Sequence, residues 1–144
     1  MDGMSYEFCW GMEIEMTVGK KISGFGEHIG IVVERAEAGE SRLVLAIQPH
    51  HLNFFGIVHG GVILTLLDQT CGLAQRSASP GGLTQSSVTI DLQTVFVAAA
   101  KGDRLIASGT CLRRGRSVAH CTARVEDAEG TLVATANGTF KILR

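Results

Sequence analysis

Only one stretch of this chain can form a long helix, Gly61 to about Ser77, and that stretch is apolar around most of its circumference. Val62, Ile63, Leu64, Leu66, Leu67, Cys71, Leu73 and Ala74 leave it almost no wet face, so the rest of the protein must enclose it. Everything available to enclose it reads as strand. Residues 28–37 and 42–48 form two runs joined by a Gly-containing turn at 37–41. Beyond the Ser-Pro-Gly-Gly turn at 79–82, Val88, Ile90 and Leu92 alternate with Thr89, Asp91 and Gln93. Further runs at 103–113, 117–127 and 131–142 are separated by short turns at 113–116 and 128–131. Short hairpins imply antiparallel pairing. The reading is an α+β domain in which a mainly antiparallel sheet curls around one buried helix. Ala134, Ala136 and Gly138 alternate on one face of the last strand and leave room there for something bulky. Open sheet edges favour self-association.

A chain of 144 residues with 45% hydrophobic and 19% charged residues suits one globular domain spanning 1–144. Its core is expected at about 28–142, after an N-terminal extension 1–27 in which Tyr6–Val18 could hold a short helix. The formal net charge of −1 gives no long-range attraction to nucleic acid or to an anionic membrane. No apolar run is long enough to span a bilayer. The N-terminus lacks a basic start followed by an apolar stretch. Cys9, Cys71, Cys111 and Cys121 show no zinc spacing and are read as reduced thiols of a cytoplasmic protein. His50, His51 and His59 fit no zinc pattern either, so neither a metal nor a cofactor is expected.

The helix carries one polar stripe: Gly61, Thr65, Asp68, Gly72 and Gln75 recur at steps of three and four, suited to lining a cavity. An acid among leucines is costly unless it is paired, hydrogen-bonded or functional. Asn53, the sequence His59-Gly60-Gly61, and Asp68 together resemble the signature of the hotdog-fold acyl-CoA thioesterases, in the branch named for phenylacetic acid degradation that also includes thioesterase superfamily member 2. Residues 89–103 are similar to that family's strand after the central helix, and the order of elements from about 28 to 142 matches its fold. The resemblance implies a hotdog domain, dimeric at least and expected to be a homotetramer, acting on acyl-CoA, with Thr89 at the position of a supporting hydroxyl.

The chemistry can also be argued from the residues. Thioester hydrolysis needs a base or nucleophile, a positioned water and donors for the developing oxyanion. A glycine pair at a helix start offers N–H groups at the positive end of the dipole, with no side chain in the way. Gly60 is the expected oxyanion donor, and Gly61 and Thr65 line the site beside it. Asp68, desolvated by its leucines, would have a raised pKa yet stay ionised if donors reach it. It could activate water or attack the carbonyl; His59 could bond the thioester or shape the pocket, and Asn53 could hold the water. Gly60 and Asp68 are eight residues apart, about 12 Å of helical rise, too far for one reacting carbon. A working site must therefore combine Gly60 of one copy with Asp68 of another, which requires a dimer.

Arg113, Arg114 and Arg116 could clamp the phosphates of coenzyme A, although a solvated turn is the simpler reading. Phe54 and Phe55 could line an acyl pocket or anchor their loop on the core. Cys71 reads as packing. Two other activities fit the same residues: an acyl-CoA-binding protein without turnover, and an enoyl-CoA hydratase or dehydratase.

Overall fold

The computed structural model describes residues 23–143, so Cys9 and the short helix expected between Tyr6 and Val18 lie outside the described part. Helix α1 (Gly24–His28) is capped by Ser23, whose Oγ accepts from the Gly26 N–H. Strands β1 (Ile31–Glu37) and β2 (Glu40–Ala46) follow, joined by Ala38 and Gly39 at φ of 50° and 83°. Two positive φ values are what a two-residue hairpin turn needs for strands of right-handed twist. Helix α2 (Gly60–Ser77) comes next, then β3 (Ser87–Phe96), β4 (Arg104–Arg114), β5 (Val118–Asp127) and β6 (Leu132–Ile142). The single sheet has the order β1-β2-β4-β5-β6-β3, with every pair antiparallel. Helix α2 touches all six strands. This is the hotdog fold.

Small residues on the inner face make the trough in which α2 lies. Ala107, Ala123, Ala134, Ala136 and Gly138 are all buried there. Gly109 marks the tightest approach: a Cβ on it would stand 2.7 Å from Thr70 Cγ2 and 2.9 Å from Ser41 Oγ. Those two side chains are themselves committed, Ser41 Oγ donating to the Thr70 carbonyl at 2.7 Å and Thr70 Oγ1 to Leu66 O at 2.6 Å. Gly109→Ala should therefore push the helix off the sheet and destabilise the protein by about 1–3 kcal/mol, read as a lower urea midpoint.

The strand alternation expected around Thr89 is broken. Thr89 pairs with Phe140, but Asp91 pairs with Thr139, so Ile90 is an extra residue in a β-bulge. The bulge reverses the phase of the strand. Thr89 points inward with Leu92 and Phe96, whose partners Phe140, Gly138 and Ala134 lie on the buried face. Val88 and Ile90, which alternation alone would bury with Leu92, are exposed.

The two sheet edges differ. At β1, Glu34 sits in a bulge, and Arg35 pairs with Glu37 and Glu40 while Arg42 pairs with Glu34. Charges and a bulge are what blunt an edge against further pairing. At β3, the edge carries Val88, Ile90, Val95 and Phe96 in the open.

Candidate active site

The loop from Gln48 to His59 delivers the chain to the start of α2, and His51 holds it. His51 is buried; its Nδ1 accepts from the Gln48 N–H at 3.0 Å and its Nε2 donates to the Ile29 carbonyl at 2.8 Å. The His51 carbonyl in turn accepts the His59 N–H at 2.8 Å. Burial, with a smaller contribution from His50, pushes the His51 pKa down, against the Ile29 hydrogen bond. A histidine whose folded pKa lies below its unfolded value of about 6.5 contributes its stabilisation in full above that value. The contribution is lost as pH falls from there through the folded pKa, because only the unfolded chain takes up the proton. Melting temperature should fall between pH 7.5 and 5, and His51→Gln should flatten that dependence.

Asn53 organises the tip of the loop. Its Oδ1 accepts from the N–H groups of Phe55 and Ile57, and its own N–H donates to the Ile57 carbonyl. The carbonyl end of its amide is thus spent on the loop. His59 is the N-cap of α2: Nδ1 accepts the Gly61 N–H at 2.8 Å. An imidazole that accepts at Nδ1 carries its proton on Nε2, which makes Nε2 a donor toward solvent. A Cβ on Gly61 would stand 3.0 Å from His59 Nδ1, so the second glycine serves the cap. The N–H of Gly60, by contrast, meets no acceptor among the described residues, and it stands at the positive end of an 18-residue helix.

Asp68 lies two turns further along. Its partner is Thr89, whose Oγ1 donates to Asp68 Oδ1 at 2.6 Å. This contact exists because the Ile90 bulge turns Thr89 inward. Asp68 is half-buried rather than sealed among its leucines, which lie on the other faces of the helix. Arg76, which the sequence reading passed over, is the cation that feels the Asp68 charge; its Nε donates to the Gly72 carbonyl at 3.1 Å. Burial pulls the Arg76 pKa down and the Asp68 charge raises it. The i, i+4, i+8 series Asp68, Gly72, Arg76 was the available sequence signal.

The polar stripe divides into two parts. Gly61, Thr65 and Asp68 are accessible to varying degrees, whereas Gly72 and Gln75 are buried. Gln75 Nε2 donates to the Gly72 carbonyl and to Ser87 Oγ. Thr65 donates its hydroxyl back to the Gly61 carbonyl at 2.8 Å. Cys71, Cys111 and Cys121 are free thiols. Burial, followed by the Asp68 charge, pushes the Cys71 thiol up to about 12, so it packs and does not react.

The arginine cluster is split as well. Arg114 turns inward and its Nε donates to the Gln75 carbonyl at 3.1 Å near the end of α2, which removes it from a phosphate clamp. Arg113 and Arg116 line an open depression of about 580 Å³ with His120, the cross-strand partner of Arg113. Phe54 and Phe55 also depart from expectation. At 99% and 83% exposed, they do not anchor on the core formed by the described residues. The pocket beside Gly60 is made instead by Asn53, Ile57, Ile63, Phe96 and Ala98, with a volume of about 250 Å³. Among the described residues, no helix is long and apolar enough to cross a membrane.

Comparison with known proteins agrees with this geometry. Residues 55–134 match the model of the thioesterase superfamily. An esterase candidate from Halobacterium salinarum is 37% identical over 130 residues, covering 84% of this chain and 85% of that protein. The medium/long-chain acyl-CoA thioesterase YigI of Escherichia coli is 28% identical, over 82% of this chain and 84% of its own. A hypothetical thioesterase from Streptococcus pneumoniae, solved with coenzyme A, superposes with a TM-score of 0.72 at 26% identity. That superposition covers 79% of this chain and 86% of the other.

Proposed function

Because the chain belongs to the thioesterase superfamily, we propose that it hydrolyses acyl-CoA thioesters at sites shared between two copies. The observation that carries this reading is the Asp68–Thr89 pair at the bare edge of the sheet. Thr89 occupies Oδ1 and orients the carboxylate, which leaves Oδ2 as the basic oxygen. Asp68 Oδ2 takes a proton from water as the water oxygen attacks the thioester carbonyl. The negative charge that develops on the carbonyl oxygen is met by the Gly60 N–H and the dipole of α2. Collapse of the tetrahedral species breaks the C–S bond and releases the thiolate of coenzyme A. His59 Nε2–H and the Asn53 amide N–H groups are polar donors near the same helix start.

Gly60 and Asp68 stand on one straight helix about 12 Å apart, so each site takes Gly60 from one copy and Asp68 from the other. The exposed apolar edge of β3 supports pairing at this place, since it continues directly from Thr89 through Ile90 to Phe96. Arg113 and Arg116, with His120, form the basic surface suited to the phosphates of coenzyme A. The relatives named for acyl-CoA and solved with coenzyme A support the substrate class.

The test is loss of thioester absorbance on a panel of acyl-CoAs, with enoyl-CoA hydration measured alongside. Thioester cleavage that requires Asp68 supports the proposal. Tight acyl-CoA binding without turnover would leave a binding protein, and hydration of enoyl-CoA without hydrolysis would leave a hydratase. A double change at the edge, Ile90→Lys with Val95→Lys, should shift the sedimentation of the protein from dimer to monomer. Activity should fall with it, because two like charges per strand would face each other across the pair.

A further inference from the structure

We infer that the acyl group enters the cleft beside Gly60, and that Ala98 and Ala99 set the length of chain it accepts. This rests on the proposed function. If the Gly60 N–H receives the carbonyl oxygen, one of the two groups attached to that carbon must run along the cleft that Gly60 itself lines. The lining decides which. Among the described residues, Ile57, Val58, Ile63, Phe96, Ala98 and Ala99 supply an apolar wall with no cationic side chain in it. Coenzyme A is polyanionic, and such a wall offers its phosphates nothing, whereas a hydrocarbon gains from leaving water. The one polar side chain among the described lining residues is Asn53, and its carbonyl oxygen is already occupied by the Phe55 and Ile57 N–H groups. Arg113 and Arg116 line a separate depression.

The dimensions give the class of acyl group. The part of the cleft that one copy supplies, about 250 Å³, accommodates on the order of eight methylene-sized groups, taking each at roughly the ~30 Å³ a water molecule occupies in the liquid. Phe96 lies close against Gly60 in this wall, its ring carbon standing 3.4 Å from where a Gly60 Cβ would be. Ala98 and Ala99, just after β3, are the smallest side chains in the wall apart from Gly60 and lie at the surface, where a larger residue would project without disturbing the core. The acyl group taken is therefore unsubstituted hydrocarbon of short to medium length, free of charged or hydroxyl groups along its first carbons.

The measurement is kcat/KM for saturated acyl-CoAs from acetyl to palmitoyl, on the wild type, Ala99→Phe and Ala98→Leu. In the wild type the value should rise by about fourfold for each added methylene, the equivalent of about 0.8 kcal/mol. It should level off near eight carbons. In Ala99→Phe the rise should stop several carbons earlier, and the octanoyl-to-acetyl ratio should fall at least tenfold. Ala98→Leu should lower the ratio in the same sense by a smaller factor. If both variants lose activity equally at every chain length, or keep the wild-type profile, the acyl group lies elsewhere and the inference fails while the thioesterase reading stands. If the wild type cleaves none of the panel, the thioesterase reading itself fails.

Discussion

Asp68→Asn is expected to lower kcat on acyl-CoA by about 10²–10⁴-fold while the protein stays folded and dimeric. The amide is nearly the same size and shape as the carboxylate, and its Oδ1 can still accept the 2.6 Å hydrogen bond from Thr89. What it removes is the charge, and with it the ability of the second oxygen to take a proton. KM should change little, since nothing in the acyl cleft involves this residue. Steady-state kinetics, with sedimentation to confirm the assembly, decide the matter. Activity within tenfold of wild type would make Asp68 a structural acid tied to Thr89 and would move the base elsewhere.

The second large effect is expected at Gly60, where the backbone and not a side chain is proposed to act. Gly60→Pro deletes the N–H while leaving α2 able to start. Gly60 is the first helical residue, the one position where proline is well accommodated. His59, at φ −63° and ψ 135°, already has the conformation that a residue before proline prefers. A loss of about 10²–10³-fold in kcat is expected from removing one oxyanion donor. Mixing this variant with Asp68→Asn then tests the shared site directly. In a dimer of one copy of each, one of the two sites combines the intact Gly60 with the intact Asp68. Refolding the two inactive proteins together in equal amounts should restore about a quarter of wild-type activity. Recovery at the background level of the parents would place both residues in sites made within one chain.

The helix and the succession of strands along the chain were legible because each depends on periodicity alone. An apolar run of helical period can only be buried, and Ala134, Ala136 and Gly138 announced where it would lie. Two features were not legible for a common reason: they depend on pairing partners remote in sequence. The Ile90 bulge arises from the match of β3 with β6, some fifty residues away, and it reverses the face on which Thr89 is found. Thr89 was expected as a supporting hydroxyl on resemblance; the alternation of its own strand, read without the bulge, put it opposite Val88 and Ile90 and could not explain how it reaches Asp68. Arg114 likewise looked like its neighbours Arg113 and Arg116 until β4 brought it against the carbonyl of Gln75. Phe54 and Phe55 read equally well as pocket or anchor, and both are exposed among the described residues. Asn53 and His59 were singled out in the sequence as candidate site residues, but their local work in shaping the loop and capping α2 emerges only from the hydrogen bonds.

The contrast between the two edges of the sheet has a consequence for growth. A strand edge that recruits a neighbour recruits another unless something stops it, and a sheet open at both sides is the start of a filament. Among the described strands, the charges and bulge along β1 leave only β3 available. If two copies meet through that edge about a twofold axis, as proposed, they use up the one bare strand that each presents among the described residues. The assembly through the sheet then terminates at a finite size, whatever the concentration of the protein.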